Sequence, residues 1–423
     1  MARTLIRHTA RIGRQPREVA WLSWRIAALA LVLGMGFLPA GARWANPGSG
    51  LGETLSASHE NRAADAQSEI ERNLKQAVEL HPNSFEANHR LGEFYMQAGK
   101  LKAGIPYLEA ARRLNPAHYV NGYDLALAYL ETGELDNARR EIRALFVQQN
   151  TAELHDLLGE VEEKAGDYVA AGNEYQLAAH MEPSERYIFD WGNELLLHRG
   201  FDPALKVFTS GVDRYPQSAM LHIGLGIAYY SLSLYDDAAK ALCRATDLAP
   251  SDPRPYLMLG RMFDISIKEA DEVTRRLGRF QETQPNNAFA NYYYALSLWK
   301  GQRGQTSAAN PAKNDEIGKL LRRSQTLAPN FADAPFQLGV LYVEEQNYQE
   351  AIQEFQEAVR RKPDLAEAHY HLAQAYARLG EKVLAKREYD LYQRFHKEEM
   401  TEDELRRQRI GQLVYSLQED SKQ

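Results

Sequence analysis

Across residues 84–116, SFEANHRLGEFYMQAGKLKAGIPYLEAARRLNP, small and apolar side chains recur at helical spacing in two runs. Leu91, Gly92 and Tyr95 share one helix face, Gly99 makes a turn, and Leu108 and Ala111 lie on a second helix. The same residue types return at the same offsets further on, as Leu225, Gly226, Tyr229, Ala238, Leu242 and Ala245, and again as Leu338, Gly339, Tyr342, Ala351, Phe355 and Ala358. Prolines punctuate these runs. Pro82 and Pro116 are 34 residues apart, Pro183 follows after 67 with Asn150 in the middle slot, and Pro216, Pro250, Pro285, Pro329 and Pro363 follow at 33, 34, 35, 44 and 34.

The pattern has a direct physical reading. Gly92, Ala126, Gly159, Gly192, Gly226, Gly260, Ala295, Gly339 and Ala373 stand where two helices of a hairpin approach most closely, so a larger side chain there would push them apart. Trp191, Tyr229, Phe263, Tyr342 and Tyr376 are expected to fill the space between neighbouring hairpins, and each proline to end a helix because it lacks an amide donor. One hairpin cannot bury its apolar faces alone. Stacked neighbours can, and stability then becomes a nearest-neighbour sum.

A period of about 34 with these signature positions resembles the tetratricopeptide repeat family over roughly residues 60–395. The resemblance implies an all-α fold, a right-handed α-solenoid (superhelix) of about nine helix-turn-helix repeats occupying residues 60–396. Two repeats depart from the period. The one over 254–285 carries an extra residue near DISIKEADEV, and the next carries about ten more in KGQRGQTSAANPAKN, read as a longer polar loop inside the hairpin. Residues 60–82 supply a leading helix with Ile70, Leu74 and Ala77 on its packed stripe. Residues 397–423 read as a capping helix and tail, with Thr401 and Glu404 as a capping box and Leu405, Ile410, Leu413, Val414 and Leu417 as an apolar stripe.

The N-terminus breaks the pattern. The run IAALALVLGMGFL at 26–38 follows an arginine-rich stretch and precedes Ala40, Gly41 and Ala42, the order of a secretory signal peptide. As a helix it would rise about 20 Å, short of a roughly 30 Å hydrocarbon core. Residues 1–42 are therefore expected to be cleaved after Ala42, which places the mature chain in the periplasm or outside the cell. The alternative is an uncleaved inner-membrane anchor extended by Trp21, Leu22 and Trp24, with the repeats outside. Residues 43–59, rich in Gly, Ser and Pro at their start, read as a flexible linker.

Charge then narrows the partners. Arg3, Arg7, Arg11, Arg14, Arg17 and Arg25 face one acid, Glu18, within residues 1–42, and removing that +5 takes the whole-chain −7 to −12. An acidic chain with no basic stripe repels phosphate backbones, which argues against nucleic acid. No His/Cys cluster with metal spacing, phosphate loop or nucleophile elbow is present, and His369 and His371 point to different helix faces. The single cysteine, Cys243, reads as a packed small side chain. No enzyme activity, metal or cofactor is expected.

What remains is binding. The resemblance implies a groove lined mainly by the first helix of each pair, which here places Tyr123, Phe189, Ile223, Tyr230, Tyr292, Tyr293, Trp299, Phe336 and Tyr370 towards a protein or peptide partner. Some of these rings are also candidates for packing between hairpins, because Tyr292, Tyr293 and Tyr294 cannot all face one groove. The better-known family mode holds a peptide C-terminal carboxylate with Lys, Asn and Arg. It is disfavoured by His89, Arg90, Glu93, Tyr123, Asp124 and Leu127 in the first repeats. The expected role is an exported interaction scaffold, or alternatively a periplasmic component of a polysaccharide- or protein-export or outer-membrane assembly apparatus.

Overall fold

The computed structural model describes residues 53–400 apart from 263, 264, 266, 267, 269 and 304–310. The expected signal peptide and most of the C-terminal cap lie outside the described residues. Among the described residues every regular element is an α-helix. A leading helix α1 (Glu53–Leu80) precedes α2 (Phe85–Gln97), α3 (Leu101–Leu114), α4 (Tyr119–Thr132), α5 (Leu135–Phe146), α6 (Ala152–Ala165), α7 (Tyr168–Met181), α8 (Glu185–Leu197) and α9 (Phe201–Arg214). Beyond them come α10 (Ala219–Ser231), α11 (Tyr235–Leu248), α12 (Pro253–Arg261), α13 (Ala270–Thr283), α14 (Ala288–Arg303), α15 (Pro311–Leu327), α16 (Asp333–Glu344), α17 (Tyr348–Arg361), α18 (Ala366–Arg378) and a last helix α19 over 382–400. From α2 onward they pair into nine hairpins, in two compact units that divide between Arg214 and Tyr215.

The prolines and turns do what their chemistry requires. Each of Pro82, Pro116, Pro183, Pro216, Pro250, Pro285, Pro329 and Pro363 stands two residues beyond a helix end, where a missing amide donor costs nothing. The residue before it is forced out of the helical region, as at Asn115 (φ −138°, ψ 85°), Glu182 (φ −138°, ψ 92°) and Lys362 (φ −136°, ψ 90°). Between the helices of a hairpin a left-handed residue closes the first helix, at Gly99, Gly133, Gly166, Arg199, Ser233, Gln346 and Gly380. The next amide then reaches back five residues, as Glu134 N–H does to the Tyr129 carbonyl at 2.8 Å and Asn347 N–H to that of Tyr342 at 2.8 Å. This turn is seen in each of the seven hairpins whose connecting residues are all described.

The close-approach positions are confirmed by what stands against them. A Cβ on Gly92 would lie 2.6 Å from Leu108, on Gly159 2.7 Å from Tyr175, on Gly192 2.6 Å from Phe208, on Gly226 2.7 Å from Leu242 and on Gly339 2.6 Å from Phe355. In each case the second helix supplies its filler from sixteen residues downstream. At Gly260 the extra residue shifts the corresponding position to Leu277, which is fully buried, and the side chain standing against the glycine is Tyr293 of α14. The fully buried large rings, Tyr175, Tyr256, Phe208, Phe280 and Phe355 among them, therefore come largely from second helices. Trp191, Tyr229, Tyr342 and Tyr376, expected as the main gap fillers, are only half-buried, and Phe263 lies outside the described residues.

Three further expectations need correction. The helix α1 begins at Glu53, inside the stretch read as linker to 59, because no Gly or Pro occurs between Gly52 and Pro82 and the segment is rich in Ala and Glu. Ile70 on that helix is exposed rather than packed; α1 is held instead through Glu71, which accepts from Tyr95 Oη at 2.9 Å and pairs with Lys100 at 3.2 Å. The loop expected around KGQRGQTSAANPAKN is partly helical, since α14 runs to Arg303 and α15 starts at Pro311, where proline suits the first helical position.

A recurrent hydrogen bond joins first helices to the preceding prolines. The side chain six residues after the proline donates to its carbonyl: Asn88 to Pro82 (2.9 Å), His222 to Pro216 (3.2 Å), Tyr256 to Pro250 (3.2 Å), Asn291 to Pro285 (2.9 Å) and His369 to Pro363 (3.0 Å). Burial, aided by the Arg244 charge and opposed by the Pro216 bond, lowers the pKa of His222. The folded state then holds fewer protons than the unfolded one as pH falls below about 6.5, so this residue withdraws stability on acidification. His222→Gln keeps a donor and cannot titrate, so it should lose less stability between pH 7.5 and 5.5, by up to about 1.4 kcal/mol per pH unit. Urea midpoints at the two pH values measure this; parallel losses in both proteins would refute it.

Candidate functional site

Six of the nine residues expected to line a groove are core. Phe189, Ile223, Tyr292, Tyr293, Trp299 and Phe336 are all buried. Phe189 packs on Phe208, with ring centroids 6.0 Å apart, and Phe336 on Phe355 at 5.9 Å. Tyr292 meets Phe331 edge-on at 4.9 Å, Tyr293 covers Gly260, and Trp299 donates its Nε1–H to Glu344 at 2.8 Å. The physical reason is volume: small residues on first helices leave gaps that only rings can fill. Tyr123 and Tyr230 are half-buried, and Tyr370 is exposed at 37% while leaning on Tyr392. These three keep surface to offer.

Within residues 53–214 the first helices carry something that the apolar pattern hid. On α6, Glu153, Asp156 and Glu160 share one face at spacings of three and four. On α8, Arg186, Asp190 and Asn193 do the same. The two faces meet through Arg186, whose Nη2 donates to Asp156 Oδ2 at 2.6 Å and to Glu160 Oε1 at 3.4 Å, while its Nε is 3.6 Å from Asp190 Oδ2. Burial disfavours the guanidinium charge, but Asp156, Asp190 and Glu160 together outweigh it and raise the Arg186 pKa. Asp156, Glu160, Asp190 and Asn193 are all buried, whereas the Arg186 side chain is 41% exposed. Tyr123 on α4 is near enough to interact electrostatically with Arg186.

Other polar pairs are structural seams. Arg139 grips Glu162 with two bonds of 2.7 Å, tying α5 to α6, and Arg112 pairs with Glu141 between α3 and α5. Cys243 is buried on α11, and burial pushes its thiol up to about 11, which makes it a poor nucleophile. Among the described residues no three His, Cys, Asp or Glu side chains are arranged to hold a metal ion. Nor is any described helix long and apolar enough to cross a membrane. The Arg186 network could not be read from sequence, since Asp156 and Arg186 are thirty residues apart and meet only when successive first helices stack.

Profiles of known families match the same hairpins. Two described as tetratricopeptide repeat match residues 60–119 and 189–253, and 96–161, and a third described as TPR repeat matches 339–380. The chain is a tetratricopeptide repeat protein. Among its relatives is the TPR repeat-containing protein YpiA of Bacillus subtilis (strain 168), 23% identical over 319 residues, which span 74% of this chain and 72% of YpiA. Another is the BBSome complex member BBS4 of Bos taurus, 23% identical over 301 residues, or 69% of this chain and 48% of the bovine protein. This repeat protein thus spans about half the length of that second relative. Of solved structures, YrrB, titled a TPR protein with an unusual peptide-binding site, superposes with a TM-score of 0.35 at 18% identity over 43% of this chain and 95% of YrrB. Yeast Tom70 gives 0.37 at 15% identity over 74% and 76%.

Proposed function

We propose that this tetratricopeptide repeat protein is a scaffold that holds partner proteins or peptides on the faces of its first helices and performs no chemistry of its own. The observation that carries the reading is the polar row Tyr123, Glu153, Asp156, Glu160 and Arg186. Tyr123, Glu153 and Arg186 in that row keep partly exposed surface, whereas the small and apolar positions on the same helices are taken up by hairpin packing. The bovine relative, by its name a member of a complex, is in keeping with that role. The signal-like N-terminus adds a place: the mature chain starts at Arg43 outside the inner membrane, and the binding serves an envelope or secreted partner.

A photo-crosslinking side chain installed at Tyr123 in the full chain, expressed in its native host, should give discrete protein adducts. The same group at Val147, 88% exposed at the end of a second helix, should not. Adducts equal at both positions, or none at Tyr123, would remove the first-helix faces from the role. The mass of the recovered chain reports on export in the same experiment, since retention of residues 1–42 would mean a tethered scaffold.

A further inference from the structure

The joint between the first two hairpins hangs on one buried amide. Asn121, fully buried on the first turn of α4, donates its Nδ2–H to the Leu108 carbonyl at 3.0 Å. Its Oδ1, 3.0 Å from His89 Nδ1 of α2, is therefore the acceptor in that second bond. The backbone N–H of the same residue donates to His118 Nδ1 at 3.2 Å, and this bond is the N-cap of α4. An amide N–H can only donate. The capping nitrogen of His118 must carry a lone pair, so the cap requires the neutral imidazole with its proton on Nε2.

Other first helices with a side-chain cap take an oxygen for this purpose, from Ser84, Thr151, Ser184, Ser218, Asp252 and Asn287. Ser, Thr and Asn do not titrate, and Asp gains its proton only well below neutral pH. Among the described first helices, only α4 is capped by a group that exchanges its acceptor for a donor in the mildly acidic range.

The surroundings oppose that proton. It would set N–H against N–H, bring positive charge to the positive end of the α4 dipole, and place that charge beside the His89 ring, whose centroid is 5.0 Å away. Glu86 of α2 acts in the other direction, although it is paired with Arg90. Around the joint, Arg112 of α3 pairs with Glu141 of α5, and Glu153 of α6 acts on the neighbouring Tyr119. Phe85 packs on both imidazoles, 4.6 Å from His118 and 5.3 Å from His89; its face attracts a cation modestly but is a poor acceptor for a stranded N–H. Burial, together with His89, outweighs Glu86 and lowers the His118 pKa. The folded chain then holds fewer protons than the unfolded one as pH falls below about 6.5, so stability at this joint is withdrawn on acidification. Both imidazoles are only half-buried, which lets protons reach them without global unfolding.

We propose that the α2/α4 joint is operated by a proton: neutral His118 closes the cap while Asn121 ties α4 to α2 and α3, and protonated His118 opens the first turn of α4 and loosens the first hairpin from the second. The device belongs to the chain itself and does not depend on what the first-helix faces hold.

Hydrogen exchange of the full chain, read by mass spectrometry at pH 7.5 and 5.5 and corrected for the intrinsic pH dependence of exchange, compares α4 with α8, whose cap is Ser184. First-turn amides of α4 should lose protection about fivefold at the lower pH, the equivalent of a typical N-cap, and α2 should follow while α8 does not change. His118→Asn keeps an acceptor at the cap and cannot titrate, so it should abolish the loss. His89→Gln keeps a donor for Asn121 Oδ1 without a second imidazole, and the loss should persist. No loss in α4, an equal loss in α8, a loss that survives His118→Asn, or one that vanishes in His89→Gln overturns the proposal. Should His118→Asn fold poorly, His118→Ser, with the residue type that caps α2, α8 and α10, answers the same question.

Discussion

Tyr175→Ala should cost about 3–5 kcal/mol, the usual range for emptying a buried aromatic site. The ring is fully buried on α7 and lies where a Cβ on Gly159 would come within 2.7 Å, so its removal opens a hole at the closest approach of α6 and α7. Its hydroxyl also donates to Glu163 Oε2 at 2.8 Å, but Tyr175→Phe should cost only about 1 kcal/mol, since that bond is at the edge of the interface. The difference separates volume from polarity. Coupling to Gly159 gives a sharper reading: Gly159→Ala is harmful in the parent chain, yet should be tolerated once the ring is gone. Urea unfolding and amide exchange of α6 and α7 measure both effects. A loss under about 1 kcal/mol for Tyr175→Ala would show that the hairpin does not depend on this contact.

Arg186→Met should be the most damaging charge change, and its cost should depend on pH. The substitution removes a cation held against the Asp156 and Asp190 side chains, which are 3% and 0% exposed. Stranding buried carboxylates costs about 3–5 kcal/mol, and the 41% exposure of Arg186 discounts this for solvent screening to about 2–3 kcal/mol. Without the guanidinium, burial and mutual repulsion raise the pKa of these carboxylates in the folded variant above their unfolded values. The folded variant then binds more protons than its unfolded chain, so its deficit is smallest at acidic pH and grows as pH rises towards neutrality. Urea midpoints of variant and parent at pH 5 and pH 7.5 test this. A deficit independent of pH would mean that Arg186 contributes packing and not charge balance, and Asp190→Asn should then fail to recover stability in the variant.

Much of the fold was legible in the sequence for a simple reason. Gly92, Gly159, Gly192, Gly226 and Gly339 each meet a filler sixteen residues later, and that distance is set by the length of one hairpin, so a linear pattern carries the contact. The prolines and the Gly99, Gly133, Gly166 and Gly380 turns are likewise local, because the backbone conformation they impose depends on one or two residues. Where locality failed, so did the expectation. Tyr293 stands against Gly260 from the first helix of the following hairpin, a contact outside the sixteen-residue spacing of the other repeats. Trp299, Phe336 and Phe189 were drawn towards a binding face by their type, and the structure uses them as core. A ring at a given helical position lies within about one turn of both the seam and the face, and 100° per residue does not separate the two without knowing the neighbours.

By itself the sequence determined the class of element, the hairpin repeat, its closing turns and its family, because each follows from spacing within one period. Only tertiary structure decided which surfaces remain for a partner. The Arg186 network joins side chains from successive hairpins about one period apart, and Asn193 is left unsatisfied by what surrounds it and not by its own helix. Charge and hydrogen-bond balance are properties of that assembled neighbourhood. A chain read one residue after another holds the ingredients of the site without its arithmetic.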